Sequence, residues 1–163
     1  MYLVYLLLGL AFISFSLVIL RGAPFLPTLG PQIKKSMELS ELKPGQTLIE
    51  LGSGDGRVLL EAAKRGIYAI GYELNPVLVL ISVCRTWRYR KYVKVIWGDF
   101  WLKDWPPADV IFVFLLTKYM KKLDTKCMQY THKPVKLVSF VFEVPHKKPA
   151  KVDGSVRVYN YGR

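Results

Sequence analysis

The sequence predicts an α/β protein: a mostly parallel sheet with helices on both faces and an antiparallel C-terminal edge strand, preceded by one N-terminal transmembrane helix. Three observations predict it. The first twenty of the 163 residues carry no charge, and seventeen of them are apolar or aromatic, the exceptions being Gly9, Ser14 and Ser16. Beyond Arg21, short apolar runs such as 110–116 alternate with helical stretches. Continuous apolar runs mark strands buried on both faces of a parallel sheet, and their alternation with helices builds a layered sheet with right-handed crossovers. Third, a glycine-rich turn at 50–56 separates the first strand from its helix.

In chain order, 1–21 reads as a membrane anchor. As a helix rising 1.5 Å per residue it reaches about 30 Å, the thickness of a bilayer's hydrocarbon. A cleaved leader needs a basic start and a small-residue cleavage site. No Lys or Arg precedes the run, and Gly22 and Ala23 abut Pro24. Arg21, Lys34 and Lys35 follow it, which places the rest of the chain on the cytoplasmic side, or on the matrix side of a mitochondrion.

Residues 22–45 form a linker, stiffened by Pro24, Pro27 and Pro31, and then a helix over 32–42 stopped by Lys43-Pro44-Gly45. The main domain spans 46–163. Strands are expected at 47–51, 69–73, 93–97, 109–115 and 136–144, with helices at 57–65 and 118–130. Asn75 caps a further helix with Pro76 at its first position. After Val144 only eleven residues, two of them proline, precede Val156, too few for a crossover helix. The strand at 156–161 is therefore expected to be the antiparallel edge.

Composition narrows the function. A 13% aromatic content excludes a disordered chain, and one block of this size excludes two catalytic domains in tandem. Cys84 and Cys127 are far apart and lack His or Cys neighbours at metal-ligand spacing, so they read as two reduced core thiols, and no metal is expected. Twenty-four Lys and Arg against twelve Asp and Glu leave a net charge of +12. The cations cluster around 85–94, 118–126 and 147–151. Such clusters fit anionic lipid or nucleic acid, and a domain already held at a bilayer favours lipid.

The glycine turn carries the chemistry. Glycines at 52, 54 and 56 let a ligand approach the backbone, and the free N–H groups of the following helix favour anionic groups. The spacing is GxGxG; the dinucleotide fingerprint GxGxxG wants glycine where Arg57 stands. Glu73 ends the second strand, where a Rossmann-like nucleotide fold holds ribose hydroxyls with a carboxylate. Gly98-Asp99-Phe100-Trp101 follows the third strand, offering an acceptor for an adenine amino group and an aromatic cover for its ring. A nicotinamide enzyme leaves Glu50 and Gly98-Asp99 unexplained.

This constellation resembles the class I S-adenosylmethionine-dependent methyltransferases. Pro24 to Thr28, Leu51 to Arg57, and Gly71-Tyr-Glu-Leu-Asn-Pro76 together are similar to the membrane-anchored lysine methyltransferases of adenine nucleotide translocase and the ATP synthase c-subunit, and to their bacterial relatives. Two positions depart from that pattern: Val77, where members often carry Trp, and Leu115-Leu116-Thr117, where they carry Pro after the fourth strand. The resemblance implies S-adenosylmethionine as cofactor, held by Glu50, Gly52, Ser53, Gly54, Asp55, Gly56, Glu73, Leu74, Asn75, Asp99 and Phe100. It also implies a lysine acceptor on a membrane protein near the bilayer surface.

A lysine acceptor, with a solution pKa of about 10.4, must react neutral, and a desolvating aromatic channel favours that state. Phe25, Thr28, Phe100, Trp101 and Tyr119 are the candidates for its walls. No general base is assigned; His132 and His146 read as solvated. A lipid or small-molecule acceptor is an alternative, as is a non-catalytic module binding RNA or lipid.

Overall fold

The computed structural model describes residues 1, 2, 4, 5, 9, 26–130 and 132–162. The expected anchor at 1–21 lies, apart from five positions, outside the described residues, as does Phe25. Among the described residues no helix is long and apolar enough to cross a membrane.

Helix α1, Gly30–Ser40, begins with Pro31 in its first turn and ends on Glu41 in the left-handed conformation. Strand β1, Thr47–Leu51, leads through the glycine turn into α2, Arg57–Lys64, and β2, Tyr68–Glu73, follows. Helix α3, Pro76–Thr86, is capped by the Asn75 side chain, which accepts from the N–H of Val77. Then come β3, Val93–Trp97, β4, Val110–Val113, α4, Thr117–Met128, β5, Val135–Phe140, β6, Lys151–Asp153, and β7, Val156–Tyr161.

The seven strands form one sheet in the order β3-β2-β1-β4-β5-β7-β6. Strands β1 to β5 are mutually parallel, and β7 runs antiparallel to β5, as the sequence predicts. The antiparallel edge is two strands wide, because Asp153-Gly154-Ser155-Val156 turns the chain into a hairpin that adds β6 outside β7. Gly154 takes the positive φ, +57°, that such a tight turn requires.

Side chains alternate across the sheet. One face packs Leu48, Phe112, Val138 and Val158 against Ile33, Met37 and Leu59 of α1 and α2. The other packs Ile49, Ile111, Val113 and Leu137 against Met120 and Leu123 of α4. Strand β5 stops at Phe140 rather than near 144. Val141 there adopts φ +72° and donates its N–H to Ser155 O, so the chain leaves the ladder. Cys127 is a core thiol, pushed up to about 12 by burial. Cys84 is not, since it lies exposed on α3.

Asp109 ties the far end of the sheet together. Its carboxylate accepts from Thr47 N and Lys133 Nζ, each at 2.8 Å. Burial alone would raise its pKa, but the Lys133 ion pair and the Thr47 N–H hold it below the usual carboxylate range. A depressed folded-state pKa contributes stability that is present above the unfolded value of about 3.9 and lost as pH falls through the folded value. Asp109→Ala is therefore expected to lower stability by about 1–2 kcal/mol at pH 7. In urea titrations that deficit should shrink below about pH 4, where the parent's own carboxylate protonates.

Candidate active site

The C-terminal ends of β1, β2, β3 and β4 share one rim, where open α/β sheets bind ligands. At its centre stands Glu73. One carboxylate oxygen accepts from Gly54 N and the other from Asn75 N, both at 2.8 Å. Burial raises its pKa, and the surrounding N–H groups oppose that rise. The loop is further stitched to β2 by Gly52 N and Ser53 N, which both donate to Tyr72 O at 2.9 Å. Gly54, at φ +54°, presents its N–H to Glu73 only because no Cβ resists that backbone.

Glu50, one residue before the end of β1, is buried, and its Oε2 has no hydrogen-bond partner among the described residues; the same holds for Ser53 Oγ. Burial, with the neighbouring carboxylates of Glu73 and Asp55, pushes the Glu50 carboxyl well above the usual range. Asp55 sits in the loop with both oxygens engaged. Arg57 grips it through Nε at 3.0 Å and Nη2 at 2.7 Å, and Arg85 of α3 adds Nη1 at 2.8 Å. Burial would raise this carboxyl, but the two arginines hold it below its ordinary value. Arg57 also donates to Thr28 O at 3.2 Å, so Thr28 lies buried beside the glycine loop.

After β3, Gly98 N donates to Glu73 O, and Asp99 Oδ1 accepts from Trp101 N, capping the short 3₁₀ turn Phe100–Leu102. Leu74 O accepts from the Trp97 indole at 3.1 Å. Phe100, Trp101 and Tyr119 form a row, with ring centroids 4.7 and 6.2 Å apart. Lys122 stands over Trp101 at 4.4 Å and Lys118 over Tyr119 at 4.8 Å.

A second aromatic group lies at the ends of β4 and β5, where Phe114 packs edge-on to Phe140 at 4.9 Å and stacks on Phe142 at 6.0 Å. Sequence reading missed this group, although the position of Phe114 just past a buried strand was a usable signal. It also missed Arg57 and Arg85 as partners of Asp55. His132 and His146 are both exposed, and His132 lies before β5, at the opposite end of the sheet from the rim.

A buried carboxyl oxygen lacking a donor, a carboxylate in a backbone cradle and an open glycine loop together fit a ligand that carries an ammonium group and paired hydroxyls. Fold and rim are those of a class I S-adenosylmethionine-dependent methyltransferase. Residues 50–151 match the family described as the ANTKMT methyltransferase domain, and the chain belongs to that family.

The human lysine N-methyltransferase of the ATP synthase c-subunit is 32% identical over 133 residues, covering 80% of this chain and 57% of that protein. Mouse adenine nucleotide translocase lysine N-methyltransferase is 31% identical over 143 residues, covering 85% and 62%. The chain thus spans about three fifths of the length of these relatives. An RNA methyltransferase from Salinibacter ruber, solved with S-adenosyl-L-homocysteine, superposes with a TM-score of 0.77 at 27% identity, covering 83% of this chain and 92% of its own.

The glycine loop has no room to grow toward α3. At Gly56, with φ +78°, an added Cβ would lie 2.2 Å from Ser82 Oγ and 3.1 Å from Ser82 Cα. Gly56→Ala is expected to cost about 1–3 kcal/mol in chemical denaturation.

Proposed function

We propose that this chain is a methyltransferase that moves a methyl group from S-adenosylmethionine to a lysine side chain of a membrane protein close to the bilayer surface. The observation that carries the reading is the rim itself: Glu50 and Glu73 flank the glycine loop, and the Phe100-Trp101-Tyr119 row borders the same edge. Two further facts support it. The relatives are named for lysine N-methyl transfer to the ATP synthase c-subunit and to adenine nucleotide translocase. The sequence opens with a charge-free apolar run long enough to span a bilayer as a helix.

S-adenosylmethionine, when bound, supplies a sulfonium-activated methyl group open to in-line displacement. The chain's own residues orient and desolvate. Glu73 retains lone pairs beyond its two backbone bonds and would accept from ribose hydroxyls. Glu50 Oε2 would accept from the ammonium of the amino-acid portion, whose charge opposes the upward push of burial on that carboxyl. Gly52, Ser53, Gly54, Asp55 and Gly56 shape the loop around it, with Leu74, Asn75, Asp99 and Phe100 on the nucleoside side.

The Trp101 and Tyr119 rings exclude water from the acceptor, and burial disfavours its ammonium form. Lys118 and Lys122, seated on those rings, add like charge that pushes the acceptor lysine further toward the neutral amine. Holding donor and acceptor in register accounts for up to about 7–11 kcal/mol of the barrier. The anchor confines this site to the cytoplasmic or matrix face of the membrane, within reach of a juxtamembrane lysine.

Three measurements test the reading. By calorimetry, Glu73→Ala should weaken S-adenosylmethionine by about 10–100-fold, since two buried N–H groups and the ribose lose a charged acceptor. Membranes incubated with methyl-labelled donor should carry the label on protein lysine; label in the lipid extract or in RNA overturns the lysine assignment. The acid limb of the pH–rate profile should lie below the free lysine pKa of about 10.4. Lys122→Ala should move that limb to higher pH, because removing a like charge raises the acceptor's pKa.

A further inference from the structure

Helix α3 is predominantly apolar, yet only one side of it is covered, and that side is the more polar one. Its buried positions are Leu78, Ser82 and Thr86, two of the three polar. The opposite stripe is the more apolar one. Leu80 is 64% exposed, Trp87 60%, and Ile81, Val83 and Cys84 are exposed between them. Leu80, Val83, Cys84 and Trp87 recur at i, i+3, i+4 and i+7, which is one face of a helix. Beside the helix start, Trp97 of the sheet's edge strand is 65% exposed, its indole N–H fixed on Leu74 O. A helix of this composition is ordinarily buried on every side, and so large an apolar face marks a contact surface.

Charge says what the surface meets. Between Glu73 and Asp99 there is no acidic residue, while Arg85, Arg88, Arg90, Lys91 and Lys94 supply five cations. Arg85 is engaged by Asp55, but the other four are exposed, and Arg90 stacks over the Trp87 ring at 5.2 Å. An apolar stripe with Trp at its margins and a rim of Lys and Arg is the pattern of a helix lying in the interface of an anionic bilayer. A folded partner burying the same stripe would have to neutralise Arg88, Arg90 and Lys91, whereas acidic lipid headgroups do so at about 1 kcal/mol each.

We propose that the outer face of α3, with Trp97 beside it, is a second membrane contact that seats the domain on an anionic bilayer surface, separate from the N-terminal run. The inference rests on the bilayer location proposed above. Leu80, Val83 and Trp87 enter the acyl boundary, and Arg88, Arg90 and Lys91 meet headgroup phosphates.

Cys84, exposed in the middle of this face while Cys127 is buried, is a built-in reporter. The full chain, labelled at Cys84 with a polarity-sensitive fluorophore, is reconstituted in vesicles of phosphatidylcholine and phosphatidylserine. The emission should shift to the blue, become quenchable by brominated acyl chains and lose quenching by aqueous iodide. Omitting phosphatidylserine, or introducing Leu80→Glu, should reverse most of the shift. The same dye on Cys84→Ser/Ser155→Cys, in the exposed β6–β7 turn, should stay in water throughout.

A chain that floats with the vesicles while its Cys84 probe stays in water overturns this inference and leaves the anchor standing. A chain that does not float overturns both. A blue shift without lipid that grows with protein concentration assigns the face to a second copy of the chain. One independent of both lipid and concentration assigns it to the chain's own 3–25 segment. Either result overturns the bilayer contact.

Discussion

The site depends on one carboxylate. Glu73 accepts from Gly54 N on one side and Asn75 N on the other, so a single buried side chain fixes the glycine loop, the end of β2 and the start of α3. Charge-assisted bonds to backbone N–H groups are short and strong, contributing roughly 1.5–3 kcal/mol each. Without them the loop would face a desolvated Glu73 with nothing to offset its burial. With them the loop is already arranged before any ligand arrives, and preorganisation is a main contribution a protein makes to a displacement reaction.

Around that centre the rim divides into two materials. On the β1–β2 side the polar groups are buried and partly unpaired, with Glu50 Oε2 and Ser53 Oγ lacking donors among the described residues. On the β3–β4 side the walls are aromatic, with Lys122 over the Trp101 ring and Lys118 over the Tyr119 ring. A cationic ligand portion is therefore drawn to one half of the rim, and a protonated amine is disfavoured in the other. A methyl donor that is a cation and an acceptor that must be neutral suit this asymmetry.

Most of the sheet was legible in the sequence because its strands are short runs rich in β-branched, aliphatic and aromatic residues set between turn signals, and 47–51, 93–97 and 156–161 emerge with the boundaries expected of them. Strand β6 was not legible. Its three residues are all exposed, so it carries no apolar pattern, and only Asp153-Gly154 announces the turn. The glycine loop and its acids were readable from spacing, whereas Arg85 reaches Asp55 across thirty positions of chain and Phe114 meets Phe140 and Phe142 only once β4 and β5 are paired. Cys84 reads as a core thiol for a physical reason: an apolar helix stripe looks the same in sequence whether protein or something else covers it.

The ion-pair node at Asp55 has a mechanical meaning. One guanidinium, Arg57, holds both the Asp55 carboxylate and Thr28 O, and Arg85 holds the same carboxylate from α3. The segment at Thr28, the loop and the outward-facing helix are thereby hooked to one point. A displacement of Thr28 reaches the loop through a single side chain, alongside the route through α1 and the core. Where Thr28 is held thus becomes a variable of the site, in the way that the length of a leash sets where its load can stand.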